Sequence, residues 1–187
     1  NTVKLIGDST FWFVPLGLKK WFNDNGVKNV IEMDWFESYD YEGIKIDCLP
    51  SQHWSKRTAF KSFDTLWASW SIKVEDFKFW FAGDTGYNDV QFKSIGKDYG
   101  PFDFAAIPIG AYEPRWFMKS FHINPDEAVQ IHLDVLSKRS VGIHYGTFIL
   151  TTEPIEDPVK KLDIARQKYG LDINEFSDSK LGKIIKL

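Results

Sequence analysis

A single cysteine, Cys48, leaves this 187-residue chain no pair for an internal disulfide, which fits a reducing compartment. Basic charge is not in excess: 23 Lys and Arg against 26 Asp and Glu give a formal net charge of -3. A general nucleic-acid binder carries the opposite footprint, so no nucleic-acid partner is expected. No run approaches the roughly 18 consecutive apolar residues of a membrane span, and no signal-peptide pattern precedes the domain. Linkers, repeats and low-complexity tracts are also missing. With 43% hydrophobic residues the chain can build one sizeable core, so residues 1–187 are expected to form one domain or most of one. It opens at Asn1 rather than Met, in mid-pattern, and is expected to be part of a longer protein.

Aromatic residues are plentiful, at 17% with eight Trp and sixteen Phe. They suit a heavily aromatic core, or in part a lipid site or a bilayer interface. Short strands alternate with a few helices. Strands are expected at Phe11 to Val14, Val30 to Phe36, Ile44 to Cys48 (alternating, hence half-buried), Phe104 to Ile109 and Val141 to His144. Trp67 to Val74 and Phe77 to Phe81 read as a hairpin across Glu75-Asp76. Leu18 to Phe22 is a short helix stopped by Asn23-Asp24-Asn25-Gly26. Asn124, Pro125 and Glu127 are the cap, first position and third position of a helix running to Ser137 or Lys138. Pro158 to Tyr169 is a last amphipathic helix, ended by Gly170. Such interspersion indicates an α/β layered domain.

Four histidines are present, and two of them, His53 and His144, stand where a strand stops beside small or turn-forming residues. Asp84 does the same within Gly83-Asp84-Thr85-Gly86. A carboxylate after so apolar a run needs a partner if buried, and a metal is an economical one. Imidazole, carboxylate and imidazole suit zinc better than the all-oxygen cages of calcium, though iron and manganese accept the same donors. His132, in mid-helix, reads as structural or surface. Asp-Thr-Gly is also the triplet of aspartic proteases. One copy, followed by Tyr87 in a helix-rich chain, argues against that chemistry.

Several stretches carry a resemblance. They are Trp12-Phe13-Val14-Pro15-Leu16-Gly17-Leu18, Pro50-Ser51-Gln52-His53-Trp54, Phe81-Ala82-Gly83-Asp84-Thr85-Gly86-Tyr87 and Gly100-Pro101-Phe102-Asp103. The longest runs unbroken from Ala105 to Met118 (AAIPIGAYEPRWFM), and His144-Tyr145-Gly146-Thr147-Phe148 completes the set. In this order they resemble the N-acylphosphatidylethanolamine-hydrolysing phospholipases D, a family within the metallo-β-lactamase superfamily. The resemblance implies an αβ/βα sandwich of metallo-β-lactamase type, here lacking its N-terminal part, with two zinc ions at one edge of the facing sheets.

By that resemblance His53 ligates the first zinc, Asp84 bridges both and His144 ligates the second. The remaining ligands of the family come from an H-x-H-x-D-H cluster, which this sequence does not contain. His122 matches a histidine that contacts substrate, although Phe121 stands where the family commonly has glutamine. Lys56 and Arg57 could face phosphate, or be surface charges with no function; Lys56 also matches a position at which family members bind bile salts. The implied reaction is two-metal hydrolysis of a phosphodiester, giving phosphatidic acid and an N-acylethanolamine. The implied setting is intracellular, peripheral on membranes and homodimeric. Two alternatives stay open: a hydrolase of the same fold acting on a soluble phosphodiester or lactone, and a non-catalytic product that binds lipid or a partner.

Overall fold

The computed structural model describes residues 2–58, 61–178, 182 and 184–185. A short helix, α1 (Thr2–Ile6), leads to β1 (Trp12–Pro15), α2 (Lys19–Asp24) and β2 (Val30–Met33). β1 and β2 pair in parallel, from Trp12 opposite Val30 to Pro15 opposite Met33. Val14, Leu18, Phe22, Val27 and Val30 close a small apolar core around this unit. β2 stops at Met33, short of the expected Phe36. There the Asp34 amide donates to the Glu37 carboxylate at 2.8 Å and Phe36 turns to φ +68°, so the chain folds back instead of extending.

The main sheet follows. β3 (Ser38–Tyr41) and β4 (Ile44–Leu49) form one hairpin, and β7 (Ser69–Val74) and β8 (Phe77–Phe81) another. Between them lies the small ribbon of β5 (Lys56–Thr58) and β6 (Lys61–Ser62). Then come α3 (Gln91–Asp98), β9 (Phe104–Pro108), α4 (Arg115–Met118), α5 (Pro125–Asp134), β10 (Ser140–Ile143), α6 (Asp157–Tyr169) and β11 (Phe176–Asp178). Among the described residues the strands order as β11-β10-β9-β8-β7-β4-β3. β4 does not alternate as expected. Ile46, Asp47, Cys48 and Leu49 are all buried, because the Ser38 hydroxyl donates to the Asp47 carboxylate and Lys45 lies 3.4 Å from it. With those partners an inward carboxylate is tolerated.

Successive β9 residues point to opposite faces, as strand geometry requires. Ala105 and Ile107 join the principal core with Trp80, Phe92, Ile131, Val135, Leu162 and Phe176, while Phe104 and Ala106 face the other side with Val141. α3, α5 and α6 cover the first face. Trp80 is fully buried, its ring 6.1 Å from those of both Phe92 and Phe102. Truncating such a side chain to alanine typically costs about 3–5 kcal/mol. α5 has the expected cap: Asn124 accepts from the Glu127 amide, and the Glu127 carboxylate accepts from the Asn124 amide. It ends at Asp134, earlier than Ser137, with Leu136 at φ +56° just beyond it.

Strand direction explains why the loops of interest meet. β4 runs antiparallel to β7 and β7 antiparallel to β8, so β4 and β8 point the same way. β8, β9 and β10 are mutually parallel. The C-terminal ends of β4, β8, β9 and β10 therefore all open at one edge of the sheet.

Candidate functional site

That edge carries the candidate residues. His53 follows the end of β4, Asp84 the end of β8 and His144 the end of β10, while the loop after β9 leads through α4 to His122. The Nε2 atoms of His53 and His122 are 3.5 Å apart. His144 Nε2 lies 3.5 Å from Asp84 Oδ1, and its ring stacks 5.7 Å from that of His122. The four side chains form a continuous cluster: His53, His122, His144, Asp84.

His53 is oriented from behind. His53 Nδ1 is 2.9 Å from the Trp54 carbonyl. A carbonyl only accepts, so the proton of the neutral ring sits on Nδ1 and the Nε2 lone pair faces the cluster. His144 adopts φ +58°, a left-handed conformation that costs a non-glycine residue about 1–2 kcal/mol, and such outliers gather at functional sites. Its Nδ1 is enclosed without a hydrogen-bond partner. Burial pushes the His122 pKa down to about 4; Asp84 pulls it up, and His53 and His144 push it down. At neutral pH His122 is thus an uncharged imidazole with one donor and one acceptor.

The scaffold behind these loops is polar and specific. Trp80 donates its indole N–H to the Ser69 hydroxyl, and that hydroxyl donates to the Pro50 carbonyl, three residues before His53. Glu153 accepts from the backbone amides of Ala111, Tyr112 and Glu113 and from the Thr151 hydroxyl. It thereby ties the segment after His144 to the turn after β9. Gly110 packs against that same segment: a Cβ on it would sit 2.4 Å from the His144 carbonyl.

Of the residues expected from sequence, His53, Asp84, His122 and His144 come together. Lys56 is exposed on β5, and the side chain of Arg57 lies outside the described residues. Sequence reading named Glu127 only as a helix-start residue and gave no role to Gln52, Arg115 or Glu153. The bonds that give them a part in the site reach across 12 to 68 residues, from Arg115 to Glu127, from Ala111 to Glu153 and from Gln52 to Ser120, so no local pattern marks that part. The donor types suit a divalent metal: two imidazoles with a carboxylate, and in His53 a lone pair already turned inward. Their number does not suffice. Among the described residues no three His, Cys, Asp or Glu side chains close on one point to hold a metal ion. His53, Asp84 and His144 can furnish one edge of such a centre, and the rest of its donors must come from elsewhere.

Residues 8–145 match the family described as "Beta-lactamase superfamily domain". The chain belongs to the β-lactamase superfamily. The resemblance carried by the motifs extends over most of this chain. Over 184 residues, 92% of this chain, it is 51% identical to "N-acyl-phosphatidylethanolamine-hydrolyzing phospholipase D 1" of Caenorhabditis elegans. It is 36% identical over 169 residues to a mitochondrial protein of the same description from Saccharomyces cerevisiae. The chain spans 52% of the nematode protein's length and 36% of the yeast protein's. Among solved structures, the superfamily fold is shared with Igni18, a metallo hydrolase from Ignicoccus hospitalis, at a TM-score of 0.68 and 17% identity, covering 94% of this chain and 67% of that one.

Proposed function

We propose that this chain is part of a metal-dependent phospholipase D that hydrolyses N-acylphosphatidylethanolamine to phosphatidic acid and an N-acylethanolamine. The observation that carries this reading is the gathering of His53, Asp84, His122 and His144 at one sheet edge in a chain 51% identical to a phospholipase of that description. In this reading His53, Asp84 and His144 would supply three of the donors that hold zinc. Zinc, when bound, polarises phosphoryl oxygens and makes hydroxide available near neutral pH. Among this chain's own residues, His122 meets a phosphate oxygen as a neutral donor, so substrate binding leaves no buried imidazolium to compensate. Lys56 adds positive charge at the rim and is the proposed contact for a bile-salt ligand. Homodimer formation and peripheral membrane association belong to the same proposal. Among the described residues no helix is long and apolar enough to cross a membrane.

The deciding experiment measures hydrolysis of N-acylphosphatidylethanolamine in mixed micelles by the complete protein and its Asp84→Asn variant, with metal content determined in both. Loss of turnover together with a lowered metal content is the expected result. Full activity in the variant overturns the assignment. Turnover of a soluble phosphodiester or lactone without any of the lipid would reassign the substrate within the same superfamily.

A further inference from the structure

His122 stands in the turn between α4 and α5, outside any helix or strand, yet its imidazole lies against the rings of both His53 and His144. Two side chains grip that turn at carbonyls two residues apart. Gln52 Nε2 donates to the Ser120 carbonyl at 2.9 Å, and Arg115 Nη1 donates to the His122 carbonyl at 2.9 Å.

The Gln52 amide has only one workable orientation. The Ser120 carbonyl can only accept, so Nε2 must face it and Oε1 must face Asn88 Nδ2, 2.9 Å away. Asn88 is fixed as well, because its Oδ1 accepts from the Gln91 backbone amide at 2.8 Å. The relay thus runs one way, from the start of α3 through Asn88 and Gln52 to Ser120. The Gln52 backbone adds two more ties: its amide donates to Thr85 Oγ1 at 2.8 Å, and its carbonyl accepts from the Gly86 amide at 2.7 Å. One residue therefore touches the loops that carry His53, Asp84 and His122. The three approach so closely that a Cβ on Gly86 would lie 2.5 Å from the Ser120 carbonyl and 2.6 Å from Gln52 Nε2.

Arg115 grips the other end with equal definition. Its Nη2 bonds both Glu127 oxygens, at 2.9 and 2.8 Å. Glu127 is the third residue of α5 and completes its capping box. The planar guanidinium fork thus spans from the His122 carbonyl to a rigid helix end, a geometry lysine cannot copy.

We propose that Gln52 and Arg115 are positioning residues for His122, clamping its turn so that the imidazole is held against His53. The inference rests on the reading of His122 as the substrate-contacting histidine. Bonds that served only to stabilise the fold would, when cut, lower the amount of folded protein without displacing this one ring.

The test uses the complete protein carrying this chain, isotope-labelled at histidine, as wild type, Gln52→Ala and Arg115→Lys. The readout is the ring-to-ring nuclear Overhauser effect between His53 and His122, with the buried His132 ring as internal control. Each variant is expected to lose at least half of that signal while the His132 resonances stay in place. An undiminished signal in both variants overturns the proposal, and so does a shift of His132 in both, which would mark these bonds as general fold contacts. In a second arm, Gln52→Ala is expected to lower kcat/KM for the lipid about ten- to a hundredfold, and to lower it no further when His122→Ala is already present. Additive losses would show that Gln52 does not act through His122. Unchanged turnover in His122→Ala alone would retire the substrate-contact reading on which the proposal rests, whereas the ring-to-ring signal would be unaffected by that failure.

Discussion

Among single residues, His132 and His144 show how differently one side-chain type is used. His132 lies on the buried face of α5, with Nδ1 2.7 Å from the Ser140 hydroxyl. Burial pushes its pKa down to about 4, against a weak upward pull from Glu175. In the unfolded chain the ring takes a proton near pH 6.5, while the folded one refuses it until about pH 4. Unfolding therefore takes up protons across that window, and its contribution to stability, intact above pH 6.5, is lost on acidification by up to about 3 kcal/mol at pH 4. His122 is shifted in the same direction, so a comparison is needed to isolate His132. Urea midpoints at pH 7.5 and 4.5 should fall further in the wild type than in His132→Gln; equal falls would remove His132 as a source. His144 is held instead in a conformation that glycine adopts freely, with one ring nitrogen unpartnered. His144→Gly should therefore keep or raise thermal stability, by about 1 kcal/mol, while abolishing hydrolysis. A large drop in melting temperature would show that the ring is retained for packing.

At the scale of elements, α5 joins legible sequence to the site. Its capping box was readable from Asn124, Pro125 and Glu127 because the bonds are three residues long. Removing the cap in Asn124→Ala should cost about 1 kcal/mol, measurable by chemical denaturation; a variant as stable as the wild type would mean the Glu127–Arg115 pair suffices to start the helix. The β7–β8 hairpin and α6, stopped by Gly170 at φ +69°, were legible for the same local reason. Other elements were not. α3 reads QFKSIGKD, with a glycine inside; Asn88 accepts from its first amide, and it forms because Phe92 and Ile95 enter the core. β3, Ser38–Tyr41, has the polar look of a loop and becomes a strand only by pairing with β4. The site divides in the same way. His53, Asp84 and His144 could be picked out because each closes a strand-like run. Gln52 could not, since what defines it is a carbonyl 68 residues away.

Over the whole molecule, the common direction of β4, β8, β9 and β10 sets not only where the polar cluster lies but what surrounds it. The loops leaving that edge also carry large apolar side chains turned outward: Trp116 at 86% and Phe117 at 62% exposure on α4, and Phe148, Ile149 and Leu150 at 73, 82 and 65% just after His144. Large solvated apolar side chains on loops that leave the same edge as a polar site are of the kind that interaction surfaces use. If that surface meets a bilayer, each side chain leaving water contributes roughly 1.5–3 kcal/mol when fully buried and less at an interface. Replacing Trp116, Phe148 and Ile149 together by serine should then weaken binding to phospholipid vesicles at least tenfold, read by co-sedimentation. None of the three is part of the polar cluster, so melting temperature and metal content should stay as in the wild type. Unchanged vesicle binding, with a shift to smaller species in gel filtration, would assign the same surface to contact between copies of the protein instead.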